Sequence, residues 1–236
     1  FGIRENGENV LVSIYSKSHT GGKFEEGAYK NVSGLNGIGA KCVCLSSNDF
    51  VVESCRDGQM AKAIFFKGDL IDYHECPTKH ANGTLIRFSP DPEVFKDEPI
   101  HYSFQRICED IKNISYLYSG ITFNLYDIKT GTRITHCAKN GIIDFVKDNL
   151  KDPIHPHIIH ETITDGTDKL EIAFQWGSKH ETSYVFVNGL RCPEGGSPIT
   201  GAKMAITRTF NTLTGETYDG ELIRANLFYV INCSVA

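Results

Sequence analysis

Two lysines set among glycines are the residues of this chain best suited to chemistry on phosphate. Gly21, Gly22, Gly34, Gly37 and Gly39 frame Lys23 and Lys30 in the stretch from Thr20 to Ala40. Glycine admits positive φ and lets the backbone come close to a ligand. Backbone N–H groups in a glycine turn that opens a helix make an anion site. The run Ile38-Gly-Ala-Lys-Cys-Val-Cys-Leu45 that follows reads as the start of a buried helix. The stretch therefore predicts a nucleotide-phosphate loop, although the glycines alone also suit a flexible surface loop. A Walker A loop is excluded by spacing, because Gly39 is followed by Ala40-Lys41-Cys42 rather than Lys-Ser/Thr. His155, His157 and His160 raise a metal reading. Their Pro/His setting, without a neighbouring cysteine or carboxylate cluster, disfavours it.

The totals set limits. At 236 residues the chain can form one large domain or two smaller ones. A net charge of -5 gives no general attraction to nucleic acid or to an anionic membrane. The apolar runs are too short to span a bilayer, and the polar opening Phe1–Gly7 has no signal-peptide core. None of the eight cysteines pair as C-x-x-C, so neither a zinc ribbon nor a redox motif is supported. They read as reduced thiols of a cytoplasmic protein. The start on Phe1 and the apolar close Leu227–Ala236 lead us to expect a piece of something longer.

The elements that must position the loop follow from periodicity. Val10, Leu11, Ile14 and Tyr15 recur at helical spacing behind a capping Asn9, and a short helix is expected from Gly37. Strands at Phe50–Cys55, Met60–Phe66, Leu70–Cys76 and Gly83–Pro90 are separated by the turns Arg56-Asp-Gly58 and Lys67-Gly-Asp69. Phe104, Ile107, Ile111, Ile114 and Leu117 mark an amphipathic helix, and a Thr130-Gly131 turn marks a second hairpin. A helix from Ile142 to near Lys151 precedes the linker candidate Asp152–His157. Strands at Leu170–Trp176 and Tyr184–Asn188, a helix through Ala202–Phe210 and a final strand from Leu227 complete an α+β, two-layer chain of two domains.

At the opening stretch a resemblance becomes specific. His19-Thr-Gly-Gly-Lys-Phe24, then Tyr29-Lys30 and Gly34-Leu-Asn-Gly-Ile-Gly39, resembles the ATP lid of the B subunits of DNA gyrase and topoisomerase IV. Further similar segments follow in order: Gly83–Asp91, Ile154-His-Pro156, Glu171–Trp176, Phe186-Val-Asn188, Glu194-Gly-Gly196 and Ala205-Ile-Thr-Arg208. An ordered series of this length outweighs any single glycine motif.

The resemblance implies a partial gyrase-type ATPase domain over residues 1–151, a two-layer α/β sandwich. Residues 152–236 resemble a transducer domain of the ribosomal-protein-S5-domain-2-like fold, lacking its final part. It implies ATP contacts from Gly21, Gly22, Lys23, Tyr29, Lys30, Gly34, Leu35, Asn36, Gly37, Ile38, Gly39 and Thr84. Within these, Tyr29 and Thr84 match residues near the adenine, and the lysines match residues near the phosphates. Arg56 matches an arginine at the pocket mouth that contacts coumarin-type inhibitors. ATP and Mg²⁺ are the cofactors implied for the full-length protein, a type II DNA topoisomerase that couples ATP hydrolysis to DNA strand passage. Its partners are DNA, the A-type cleavage–religation subunit and a second copy across the ATPase gate, with no membrane. Two departures stand out: Ser33 and Asn36 replace the family's glycine and histidine. The family's general-base glutamate, magnesium-binding asparagine and adenine-reading D-x-G-x-G segment lie upstream of anything here. No catalytic or metal-binding residue is therefore expected in these 236 residues, nor a cofactor bound to them alone. A truncated, ATPase-incompetent relative acting as an interaction module is the other reading.

Overall fold

The computed structural model describes residues 2–3, 7–17, 38–96 and 100–235. Their contacts divide the chain into two compact units, one up to His101 and one from Tyr102 onward.

The first unit is a four-stranded antiparallel sheet with two short helices on one face. Helix α1 spans Val10–Ser16, and the Asn9 side chain caps it by accepting a hydrogen bond from the Val12 N–H at 3.2 Å. Helix α2 spans Gly39–Leu45. Strands β1 (Ser47–Arg56), β2 (Gln59–Phe66), β3 (Asp69–Pro77) and β4 (Gly83–Pro90) stand in the order β3-β2-β1-β4. The β1–β2 turn has Asp57 and Gly58 at φ 51° and 78°, and the β2–β3 turn has Lys67 and Gly68 at 50° and 87°. Positive φ at both central residues matches the twist of a tight hairpin.

Alternation along the strands supplies the core. Phe50 and Val52 of β1 and Ala61, Ala63 and Phe65 of β2 pack with Leu11, Tyr15 and Cys44 from the helices. The Tyr15 ring stands 5.3 Å from that of Phe50. Burial pushes the Cys44 thiol up to about 11. Strand β4 is an edge of the sheet, and Leu85, Ile86 and Phe88 on it are exposed. Its end is tied down by Asp91, which is buried and ion-paired to Lys67 at 2.9 Å.

The second unit begins with helix α3 (Phe104–Leu117), capped by Ser103, and a hairpin of β5 (Phe123–Tyr126) and β6 (Arg133–His136). Helix α4 (Ile142–Asn149) follows. A five-stranded sheet is built from β7 (Ile159–Asp165), β8 (Asp168–Trp176), β9 (Thr182–Val187), β10 (Leu190–Arg191) and β11 (Leu227–Ser234), in the order β10-β9-β11-β8-β7. Helices α5 (Gly196–Thr214) and α6 (Gly220–Arg224) lie between β10 and β11 in sequence.

Strand β11 pairs antiparallel with β8 and parallel with β9. It is apolar over most of its length because both of its faces are covered. Phe228 and Val230 join Ile142, Phe145 and Val146 of α4 and Tyr116 of α3 in one core cluster. Leu227, Tyr229, Ile231 and Cys233 join Ile206 of α5 and Ile223 of α6 in another. Helix α4 thus shares a core with β8, β9 and β11. After β8, Gly177 sits at φ +142° against the backbone of Asp152 and Pro153.

Candidate functional site

Strand register decides which of the expected site residues meet. Thr84 of β4 is directly opposite Ser54 of β1. Arg56 lies two residues beyond Ser54, so Thr84 and Arg56 share one face and one end of the sheet. That face is the helix-covered one, because Phe50 and Val52 lie at the same parity and pack with Cys44 of α2. Helix α2, which opens with Gly39 after the N-cap residue Ile38, therefore lies on the side that carries Thr84 and Arg56.

The turn holding Arg56 is braced from the next hairpin. The Asp57 N–H donates to Asn82 Oδ1 at 2.8 Å, and Asn82 Nδ2 donates to Asp57 Oδ1 at 3.3 Å. The Thr78 N–H donates to the Gly58 carbonyl at 2.8 Å. Arg56 itself is 80% exposed, and its Nε is ion-paired with Asp57 Oδ2 at 3.4 Å. Asn82 and Thr78 escaped the sequence reading. Asn82-Gly83 was the one signal for them, and only the register gives it meaning.

Thr84, Ile86 and Phe88 form an exposed row along β4 beside the buried Val52 and Phe50. The Thr84 hydroxyl has no hydrogen-bond partner among the described residues. An apolar shelf with an unused hydroxyl at one end suits a flat heteroaromatic ring with a polar edge. Ile38 is exposed, and among the described residues no side chain caps α2 and none lies within 4 Å of a Cβ at Gly39. These features fit a nucleotide. Among the described residues no group of three or more His, Cys, Asp and Glu is arranged to hold a metal ion. His160 instead contacts Glu171 at 2.9 Å, and the His155 ring lies 6.0 Å from Trp176. Gly21, Gly22, Lys23, Tyr29, Lys30, Gly34, Leu35, Asn36 and Gly37 lie outside the described residues.

The second unit holds a charged cluster that the sequence did not reveal. Glu181 meets Lys203 Nζ at 3.1 Å, Arg224 Nε at 3.5 Å and the Tyr229 hydroxyl, which donates to it, at 2.9 Å. Burial alone pushes the Glu181 carboxyl up, but the Lys203 and Tyr229 hydrogen bonds and the Arg224 charge outweigh it, and the net shift is downward. Burial and the Glu181 bond hold the Tyr229 hydroxyl above the usual tyrosine range. No helix among the described residues is long and apolar enough to cross a membrane.

This fold is that of the ATPase regions of type II topoisomerases. The ATPase domain of Thermus thermophilus gyrase B, solved with an aminocoumarin, superposes with a TM-score of 0.81 at 20% identity, covering 99% of this chain and 63% of that one. In sequence the chain is similar to the B subunits of DNA gyrase and topoisomerase IV. Residues 141–236 match the family model for DNA gyrase B. The sequence is 30% identical to the DNA gyrase B protein of Myxococcus xanthus over 239 residues, which is 96% of this chain and 29% of that protein. It is 28% identical to the DNA topoisomerase 4 B protein of Borreliella burgdorferi over 238 residues, 99% of this chain and 38% of that protein. The chain thus spans well under half the length of these two curated relatives.

Proposed function

We propose that this chain is the lid-bearing part of the ATPase region, with most of the transducer, of the ATPase component of a type II DNA topoisomerase. The whole protein would couple ATP binding and hydrolysis to passage of one DNA duplex through another. The observation that carries this reading is the juxtaposition of Thr84 and Arg56 at one end of the sheet face that α2 covers, in a chain similar to gyrase B and its topoisomerase IV counterpart over nearly its whole length. In this reading residues 1–151 serve ATP and residues 152–236 transmit its signal. Lys23, Lys30 and the backbone from Leu35 to Gly39 hold the phosphates. Tyr29 and Thr84 flank the base, and Arg56 guards the rim. The partners are DNA, an A-type cleavage–religation subunit and a second copy of the ATPase protein, in the cytoplasm. The attacking water's base and the Mg²⁺ ligands come from residues upstream of these 236, so this chain alone neither binds nor hydrolyses ATP measurably.

The test joins this chain to the part of Myxococcus xanthus gyrase B that precedes the matched region. The joined protein is expected to hydrolyse ATP, and Lys30→Ala to abolish that activity. A folded joined protein without ATPase activity refutes the proposal. Micromolar ATP binding by the 236-residue chain alone, read by calorimetry, refutes its claim of incompleteness.

A further inference from the structure

We propose that Asn82 is a positioning residue of the ligand rim: it fixes the Asp57 carboxylate and, through that carboxylate, the Arg56 guanidinium. The inference rests on the reading of Thr84 and Arg56 as base-side wall and rim of a nucleotide pocket, and adds the residue that ties the two together. Ser54 of β1 is directly opposite Thr84 of β4, and Cys55 is opposite Gly83. One step further, the same register brings Asn82 across from Arg56. Asn82 therefore stands at the end of the sheet that carries both site residues, two positions before Thr84 in the chain.

The contacts form a relay. Asp57 turns its two carboxylate oxygens to different partners: Oδ2 meets Arg56 Nε at 3.4 Å, and Oδ1 accepts from Asn82 Nδ2 at 3.3 Å. Asn82 Oδ1 in turn accepts from the Asp57 N–H at 2.8 Å. One amide thus holds the backbone and the side chain of Asp57 together. Asp57 sits at φ 51°, a conformation that short polar side chains with local hydrogen bonds tolerate best among non-glycine residues. The orientation of its carboxylate is set by Asn82 before Arg56 meets it.

Without Asn82 the ion pair would count for little. The Arg56 and Asp57 side chains are 80% and 76% exposed, and an exposed pair must order two mobile side chains for a weak attraction. The two hydrogen bonds to Asn82 remove the freedom of Asp57, so only the arginine is left to order. Asp57 occupies the Nε side of the guanidinium. The Nη groups have no hydrogen-bond partner among the described residues, and they remain for an acceptor on a ligand at the Thr84 end. Ordering one long side chain in advance strengthens binding by about two- to tenfold.

The experiment follows the Arg56 Nε–Hε signal of the full 236-residue chain by nitrogen-15 NMR, with Arg56→Lys to assign it. Asn82→Ala is expected to speed exchange of that proton with water by at least about twofold, the lower end of the ordering effect. Asp57→Gly suits φ 51°, keeps the backbone N–H and removes the carboxylate. In that background Asn82→Ala is expected to change nothing at Arg56. An unchanged signal in Asn82→Ala overturns the proposal. So does an effect that persists with Asp57→Gly, because it would come from bracing of the turn through the Asp57 N–H alone. A second arm uses the joined protein, with an aminocoumarin, the class of compound bound by the Thermus thermophilus protein, as probe. Asn82→Ala is expected to weaken its binding by about two- to tenfold, and to have no effect once Arg56 is alanine. Unchanged affinity in a joined protein that binds the probe overturns the proposal. A joined protein that binds no aminocoumarin refutes the reading of the pocket instead, and the Arg56 signal of the 236-residue chain still decides whether Asn82 holds the guanidinium.

Discussion

Replacing Gly177 by alanine tests the packing of the second unit most directly. Gly177 lies at φ +142°, and a Cβ there would fall 2.3 Å from the Asp152 carbonyl oxygen and 2.6 Å from Pro153 Cα. Both neighbours are backbone, so no side chain can swing aside. The segment is also held in place, with the Ile154 N–H donating to the Trp176 carbonyl and the Gly177 N–H to the Asn226 carbonyl, each at 2.9 Å. Holding a side-chain-bearing residue at such a φ costs about 1–3 kcal/mol, and forcing volume into packed atoms costs about 1–3 kcal/mol more. Gly177→Ala should therefore destabilise the unit by about 4 kcal/mol. At a slope of about 2 kcal/mol per M, that lowers the urea midpoint by about 2 M. The chain's one tryptophan, Trp176, reports the transition, since its indole N–H donates to the Ile223 carbonyl at 2.8 Å. Gly131→Ala is the control, with φ +72° but nothing within 4 Å of its Cβ. It should cost only the conformational part, about 1 kcal/mol. Equal midpoints for the two variants would refute the claim that close backbone approach, rather than φ alone, requires glycine at 177.

Phe145→Ala should cost about 4 kcal/mol by denaturant titration, because Phe145 is buried and its ring meets Tyr116, Tyr184, Phe186 and Phe228. A loss below about 1 kcal/mol would mean that this cluster is not the core. Glu181 has a carboxyl pKa below its ordinary value, so its stabilisation is complete above the unfolded glutamate pKa and is lost as pH falls through the folded one. Glu181→Gln should flatten that acid limb of the stability–pH curve, and an unchanged limb would count against the cluster. Arg56→Ala should leave the unfolding midpoint unchanged, since the side chain is 80% exposed, yet weaken aminocoumarin binding to the ATPase restored by the upstream half. A shifted midpoint would show that Arg56 braces the fold instead.

The parts of the fold that could be read in advance are those where turn chemistry and apolar period agree. Asp57-Gly58 and Lys67-Gly68 punctuate three strands whose alternate residues face the helices, and the meander follows from that. Strand β7 gave no such signal, because His160, Glu161, Thr162 and Thr164 leave it mostly exposed at a sheet edge. Helix α5 starts at Gly196, ahead of the apolar face that begins at Ala202, because Gly195-Gly196-Ser197-Pro198 reads locally as loop. Proline is tolerated in a first turn, where its missing N–H has no intrahelical partner to lose. At the candidate site, Thr84 and Arg56 were found by resemblance, but their shared face depends on the pairing of β1 with β4, which local sequence does not encode. The Glu181 cluster joins residues 22 to 48 positions apart and has no local pattern at all.

The central position of β11 sets an order for synthesis on the ribosome. Its two neighbours, β8 and β9, end at Trp176 and Val187, yet the strand that joins them begins only at Leu227. At about 5–20 residues per second, several seconds separate the emergence of β8 from that of its partner. Until then β8 and β9 each present an unpaired edge toward the gap, and α4 has no Phe228 or Val230 to pack against. The nascent second unit is thus a set of waiting hairpins and helices, open to chaperones or to foreign strands, until β11 joins its sheet.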